Sequence, residues 1–240
     1  TFMVPVVWES DGWLRVDNDN GIVNSEERLP DLPVYLAAPS FFSDNFESDR
    51  LDMRWNTIHP AAEPFWSLTE RPGCLRLFLK EEVLHEICTP AFIGRRQQHK
   101  NFRMQFAMDF QPTNPCEEAG AALVQDDRYH YTFTVGLKNG SRVLTLTEVK
   151  NHVRTVLAET PLEKDGRIYL TVAATPEGYH FYYGYSDQEF QLLCKNVDPT
   201  LLSSLVNEGF TGAYIGMYAT SNHSPVKNHA DFDWVLYEAE

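Results

Sequence analysis

The sequence has no run of about eighteen apolar residues, so no segment of it reads as a membrane-crossing helix. It has no basic cluster longer than Arg95-Arg96, while Asp and Glu outnumber Lys and Arg by 34 to 20, leaving a net charge of −14. A surface of that sign repels polyanions, which excludes nucleic acid and anionic membrane as partners and leaves a neutral ligand such as a sugar compatible. Its few cysteines (Cys74, Cys88, Cys116 and Cys194) lack metal-type spacing and read as buried free thiols, although in an oxidising compartment they could pair in three ways. There is no glycine-rich phosphate loop, no His-Glu-x-x-His, no Cys-x-x-Cys and no Gly-x-Ser-x-Gly. Nucleotide, zinc-hydrolase and serine-hydrolase readings therefore have no local support. Internal repeats and low-complexity tracts are also missing.

What is present is enough apolar material for a full core: 43% hydrophobic and 13% aromatic residues over 240 positions. From about residue 40 onward the pattern has period two. Phe102, Met104, Phe106, Met108 and Phe110 alternate with Arg103, Gln105, Ala107 and Asp109, as a strand with one buried face requires. Tyr129, Tyr131, Phe133, Val135 and Leu137 repeat the alternation and lead into Asn139-Gly140, a dipeptide that tolerates the positive φ values of a tight hairpin. Ser141 to Val149 is therefore expected to return antiparallel. Further strands are expected at 75–79, 167–173, 179–186, 213–219 and 232–238, separated by Gly- and Pro-containing turns. One short helix is expected around 199–206, with Asp198 as N-cap and Pro199 at its first position. Many short strands imply an all-β sandwich or barrel. Proline-rich residues 29–40 read as a semi-rigid connector. They divide 1–28, the expected tail of another domain with Trp8 and Trp13, from the sandwich at 41–240.

Catalytic groups are hard to find. The doublets Glu81-Glu82, Glu117-Glu118 and Asp126-Asp127 lie in turn-like contexts, and neighbours on an extended chain point to opposite faces, so they read as solvated turns. His130 and His180 fall on strand patterns as structural histidines, and His223 and His229 flank a loop. Asn139-Gly140-Ser141 and Asn222-His223-Ser224 match the glycosylation sequon, a tripeptide common by chance. If first and last strands pair, Asp44 in FSDNF approaches Asp233 in ADFDW; two carboxylates with backbone carbonyls suit a structural calcium ion. Trp55, Trp66 and Trp234 are either core or, if exposed, platforms for sugars.

Five stretches carry a resemblance: SLTERPGCLRL (67–77), IGRRQQH (93–99), EEAGAALVQDDRYHY (117–131), FTGAYIGMYAT (210–220) and ADFDWVLYE (230–238). In this order they resemble the C-terminal concanavalin A-like antiparallel β-sandwich, a jelly roll, of glycoside hydrolase family 43, in the subgroup of β-xylosidases and α-L-arabinofuranosidases. TFMVPVVWESDGWLRV (1–16) resembles the last strand region of that family's five-bladed propeller. The resemblance implies an inverting hydrolase whose three carboxylates lie on the propeller, upstream of anything here, so the chain alone is expected to be inactive and to require no cofactor. It implies that the sandwich packs on the propeller of the same protein and that a loop aromatic, here Phe210, helps close the pocket for a neutral xylo- or arabino-oligosaccharide. Phe210 also admits a reading as a core residue entering a strand. Arg95 and Arg96, adjacent on a strand, are expected to point oppositely, either with one buried and one facing the propeller or a carboxylate or as a simple surface pair. Two other functions compete: an autonomous carbohydrate-binding module, and one half of a split or nicked enzyme. The sequence assigns no compartment, secreted or cytoplasmic.

Overall fold

The computed structural model describes residues 3–18, 20–33 and 40–239. The chain divides into two compact units, Thr1–Ala38 and Pro39–Glu240, with the division falling inside the proline-rich segment, whose residues 34–39 lie outside those described. The first unit holds a hairpin of β1 (Val6–Trp8) and β2 (Leu14–Val16), in register Val6↔Val16. Its turn is closed by the Asp11 carboxylate accepting from the Trp13 amide at 3.0 Å and by Gly12 at φ +88°. Trp8 and Trp13 are both about three-quarters exposed.

The second unit is built from β3 (Ser40–Asp44), β4 (Trp66–Ser67), β5 (Leu75–Phe78), β6 (Ala91–Arg96), β7 (Phe102–Asp109), β8 (Glu118–Val124) and β9 (Tyr129–Lys138). It continues with β10 (Ser141–Lys150), β11 (Val153–Pro161), β12 (Ile168–Thr175), β13 (Gly178–Gly184), β14 (Gln191–Val197), β15 (Tyr214–Thr220) and β16 (His229–Ala239). One sheet has the order β11-β10-β9-β8-β15-β6. The other runs β14-β13-β12-β7-β16-β5-β4, with β3 also on β16. All these ladders are antiparallel. First and last strands of the unit do pair, Asp44 opposite Val235. The core lies between the sheets, where Phe106, Phe133, Phe181, Phe232 and Tyr237 are fully buried.

Why these residues fold this way is clearest at the turns and on β7. Asn139 and Gly140 take φ 52° and 78°, joining β9 to β10 with Lys138 opposite Ser141, as expected of that dipeptide. The inward set Phe102 to Phe110 is buried, but so are Gln105 and Ala107 on the other face. Ala107 lies in register with both Tyr169 and Trp234, whose rings meet at 5.9 Å, so Trp234 is neither core nor free platform but a half-buried cover on the outer face. The expected helix appears in two pieces. A 3₁₀ turn at Pro199–Leu202 is capped by Asp198, which accepts from the Thr200 amide, and α1 (Ser204–Asn207) is capped by Ser203.

One of the acidic doublets corrects the reading of solvated turns. Glu117 is only 1% exposed. Its carboxylate accepts from the Thr113 amide at 2.6 Å and from the side-chain amides of Asn228 (2.8 Å) and Asn114 (3.2 Å). Burial raises its pKa, but these donors together outweigh it and hold the group below the usual glutamate value.

Candidate functional site

Strands β6, β15 and β8 lie side by side, and period two sends alternate residues to opposite faces. Ile93, Ile215, Met217 and Leu123 enter the main core, whereas Phe92, Tyr218, Ala122 and Val124 form a second apolar cluster on the outer face with Leu84. Gly94 and Gly216 are cross-strand partners here. A Cβ on Gly216 would lie 2.2 Å from the Ile93 carbonyl oxygen, where only glycine fits, and one on Gly94 would lie 2.4 Å from the Phe92 ring and would displace it. The Phe92 ring is thus laid against the sheet. Above it opens a cavity of about 470 Å³, walled by Ile58, Glu86, Ile87, Arg96, Asp127 and Tyr214 among others. Its mixture of apolar walls with a few charged and polar groups is that of a site for a polar organic molecule or a partner's side chains.

The segment between α1 and β15 borders this cavity through Thr211. Glu208 takes the left-handed conformation at φ 59°, ending the helix, and the Gly209 amide donates to Asn207 Oδ1 at 3.0 Å. Gln125 Nε2 donates to the Thr211 carbonyl at 2.5 Å, and Arg128 Nη2 to the Asn207 carbonyl at 3.2 Å. The loop is therefore tied on both sides of Phe210, whose side chain is fully exposed. The alternative of a core phenylalanine is overturned: β15 begins only at Tyr214, and the ring leaves the fold altogether.

Arg95 and Arg96 do point oppositely. Arg96 is exposed at the cavity wall with its guanidinium 4.8 Å from the Tyr214 ring centre. Arg95 is 5% exposed, between Phe42 (4.4 Å) and Tyr237 (4.5 Å). As a candidate interface residue it is corrected, because it presents nothing to a partner. It donates to Gln98 Oε1 at 2.9 Å, but its Nε and Nη1 have no protein acceptor, and burial holds its pKa below the usual arginine value. Replacing an incompletely satisfied buried cation by an apolar side chain of similar length removes a desolvation cost that the single Gln98 bond and the cation–π contacts do not fully offset. Arg95→Met is expected to raise the unfolding free energy by about 1 kcal/mol. An unchanged or lowered midpoint in a guanidinium titration would contradict that assignment of costs.

The two aspartates proposed for calcium do not form a cation site, although their strands pair as expected. Asp44 accepts from the Phe46 amide at 2.9 Å and from Trp55 Nε1 at 2.8 Å, on the inner side where Trp55 packs edge-on against Phe42. Asp233 faces the other way, ion-paired with Arg167, which also holds Asp109 through two bonds of 3.0 Å. Arg71 bridges Asp109 (2.8 Å) to Asp231 (3.0 Å), and Arg76 grips Asp231 at 2.7 and 2.9 Å. N–H donors occupy one carboxylate and guanidinium groups neutralise the other, so the residues do not fit Ca²⁺. Trp55 is buried and Trp66 half-buried. His180 bonds the Thr175 hydroxyl at 2.8 Å, and His130 is enclosed in β9. All four cysteines are free thiols, with Cys74 buried and the others half-buried.

In this two-sheet sandwich the carboxylates of Glu117, Asp109 and Asp231 are committed to structural bonds, while the outer face is hollowed and one loop aromatic is presented to solvent. Residues 43–238 match the family model described as the beta xylosidase C-terminal concanavalin A-like domain, and the chain belongs to that family of non-catalytic modules of glycoside hydrolase family 43 proteins. It is 35% identical over 243 residues to the non-reducing end alpha-L-arabinofuranosidase BoGH43B of Bacteroides ovatus, covering 98% of this chain and 44% of that protein. It is 29% identical over 241 residues to a xylosidase/arabinosidase of Butyrivibrio fibrisolvens, covering 99% and 46%. Among solved structures, the Bacteroides ovatus xyloglucan PUL GH43B superposes with a TM-score of 0.85 at 33% identity, over 100% of this chain and 47% of that one. The xylan beta-1,4-xylosidase from Bacillus halodurans C-125 superposes with a TM-score of 0.83 at 28% identity, over 98% and 46%. The chain spans somewhat under half the length of these relatives.

Proposed function

We propose that this module packs on the propeller domain of a family 43 glycoside hydrolase, with residues 1–28 as the end of that propeller, and that Phe210 forms part of the mouth of its sugar pocket. The parent removes single xylosyl or arabinofuranosyl residues from the ends of neutral oligosaccharides. The observation that carries this reading is Phe210, fully exposed on a loop tied at both sides, beside a cavity whose rim also exposes Ile58 and Ile87. Water-exposed apolar groups held in place, rather than left to collapse, are what a surface awaiting a partner presents. Trp8 and Trp13, exposed in the first unit, fit the same account. The competing carbohydrate-binding module gains nothing from the three tryptophans read as possible sugar platforms, since Trp55, Trp66 and Trp234 are all at least half-buried.

The test is hydrolysis of aryl β-xyloside and aryl α-L-arabinofuranoside by the purified chain, beside a titration with xylo-oligosaccharides. Neither turnover nor binding is expected. Binding without turnover would favour the carbohydrate-binding module, and turnover would overturn both.

A further inference from the structure

Among the described residues, three metal-ligating side chains converge: His85, Glu86 and His223, whose donor atoms all lie within 4.8 Å of one another. They come from segments up to 138 positions apart, joined by hydrogen bonds that do not involve the three side chains. Thr220, at the end of β15, forms a parallel bridge with Lys80. The Ser221 amide donates to the Lys80 carbonyl at 2.8 Å, the His223 amide donates to the Glu81 carbonyl at 2.9 Å, and the Thr220 hydroxyl reaches the Glu82 carbonyl at 3.0 Å. Asn222 and His223 both take left-handed φ values, 43° and 63°. That turn sends the Asn222 amide inward to the Cys116 carbonyl at 2.7 Å and leaves the His223 imidazole outside, with Nε2 3.5 Å from Glu86 Oε1. On the other flank, His152 Nδ1 bonds the His85 carbonyl at 3.2 Å.

Ligand atoms around a tetrahedral zinc ion, at about 2.0–2.1 Å from the metal, sit about 3.4 Å apart. The His223–Glu86 pair already has that spacing, and the donor atom of the half-buried His85 lies within 4.8 Å of both. Two imidazoles and one carboxylate suit zinc and its first-row neighbours, whereas calcium and magnesium require oxygen donors. We infer that His85, Glu86 and His223 bind a zinc-class divalent transition-metal ion, with solvent completing its shell. Glu86 and Ile87 are also part of the cavity wall, so the ion would clamp that wall to the turn after β15.

Equilibrium dialysis of the chain against micromolar ZnCl₂ in a non-chelating buffer, with metal analysis and thermal unfolding, tests this. One equivalent of zinc should be retained with a raised Tm, and CaCl₂ should do neither. His223→Ala and Glu86→Gln, both at exposed positions, should each weaken zinc binding by about tenfold or more without changing the metal-free Tm. Cys88→Ser, which removes the nearby thiol, should leave binding intact. No retention at micromolar zinc would overturn the proposal, as would retention that survives His223→Ala or is lost in Cys88→Ser alone.

Discussion

Acidification from pH 7 to pH 4 is expected to remove about 3 kcal/mol of folding free energy through one imidazole, that of His130. The residue stands on β9 between Val124 and Val149 and is 1% exposed. Burial is the chief cause that pushes its pKa down from 6.5 to about 4, and the contact of Nδ1 with the Asp126 carbonyl at 3.2 Å only partly opposes it. The unfolded chain takes up this proton near pH 6.5 and the folded chain only near pH 4. Between those values the unfolded state holds more protons, so stability is complete above pH 6.5 and falls as pH drops through the window. At about 1.36 kcal/mol per pH unit, the gap corresponds to about 3 kcal/mol, most of it lost by pH 4.5. The partly buried His85 is pushed the same way by the same cause and adds to the trend. Urea unfolding of the wild type and of His130→Gln at pH 7 and pH 4.5 checks this. Glutamine can donate to the Asp126 carbonyl without taking up a proton, so its loss should be much the smaller. Parallel losses in the two proteins would show that His130 does not govern the acid limb.

The same contrast between local and distant causes explains what the sequence made legible. Asn139-Gly140 names its own hairpin because only a few residues accept two positive φ values in succession. The equivalent turn between β10 and β11 uses Asn151 and His152, at φ 51° and 64°, and carries no glycine to mark it. β11 is also an edge strand with Val153 and Val156 facing solvent, and β14, at the edge of the other sheet, has exposed and half-buried residues at six of its seven positions. Period-two reading does not find strands that bury only a residue or two of one face. Glu117 looks like half of a solvated doublet until Asn228, 111 positions away, supplies a donor. Pairing of first and last strands was legible for Asp44 and Asp233, but whether two side chains share a face depends on the bulge between Phe232 and Trp234. The cavity was not legible at all. It exists because two glycines meet across β6 and β15 and because loops from distant parts of the chain rise around them.

Phe210 is the residue at which local signals and three-dimensional placement agree, with Gly209 and Gly212 flanking a ring that the fold leaves in water. Its truncation therefore separates two roles sharply. In the isolated chain, Phe210→Ala removes no buried contact, and its unfolding free energy should stay within about 0.5 kcal/mol of wild type. In the parent hydrolase, a ring inserted at the pocket mouth would bury most of its apolar surface against sugar and propeller, worth about 1.5–3 kcal/mol. If that contact is made in the transition state as well as in the ground state, kcat/KM for aryl β-xyloside or aryl α-L-arabinofuranoside falls by about 10- to 100-fold. Phe210→Tyr, which keeps the ring, should retain most of the activity. Gln125→Ala leaves the ring but cuts its tether to Thr211, so it should fall between the two if presentation matters as well as presence. Full activity in Phe210→Ala would move this ring from the pocket to an inert surface. A loss matched by a lowered Tm of the isolated chain would return it to an ordinary role in stability. A large activity loss with an unmoved Tm is the outcome that a residue held out for a partner predicts, and no residue of the sandwich core would behave that way.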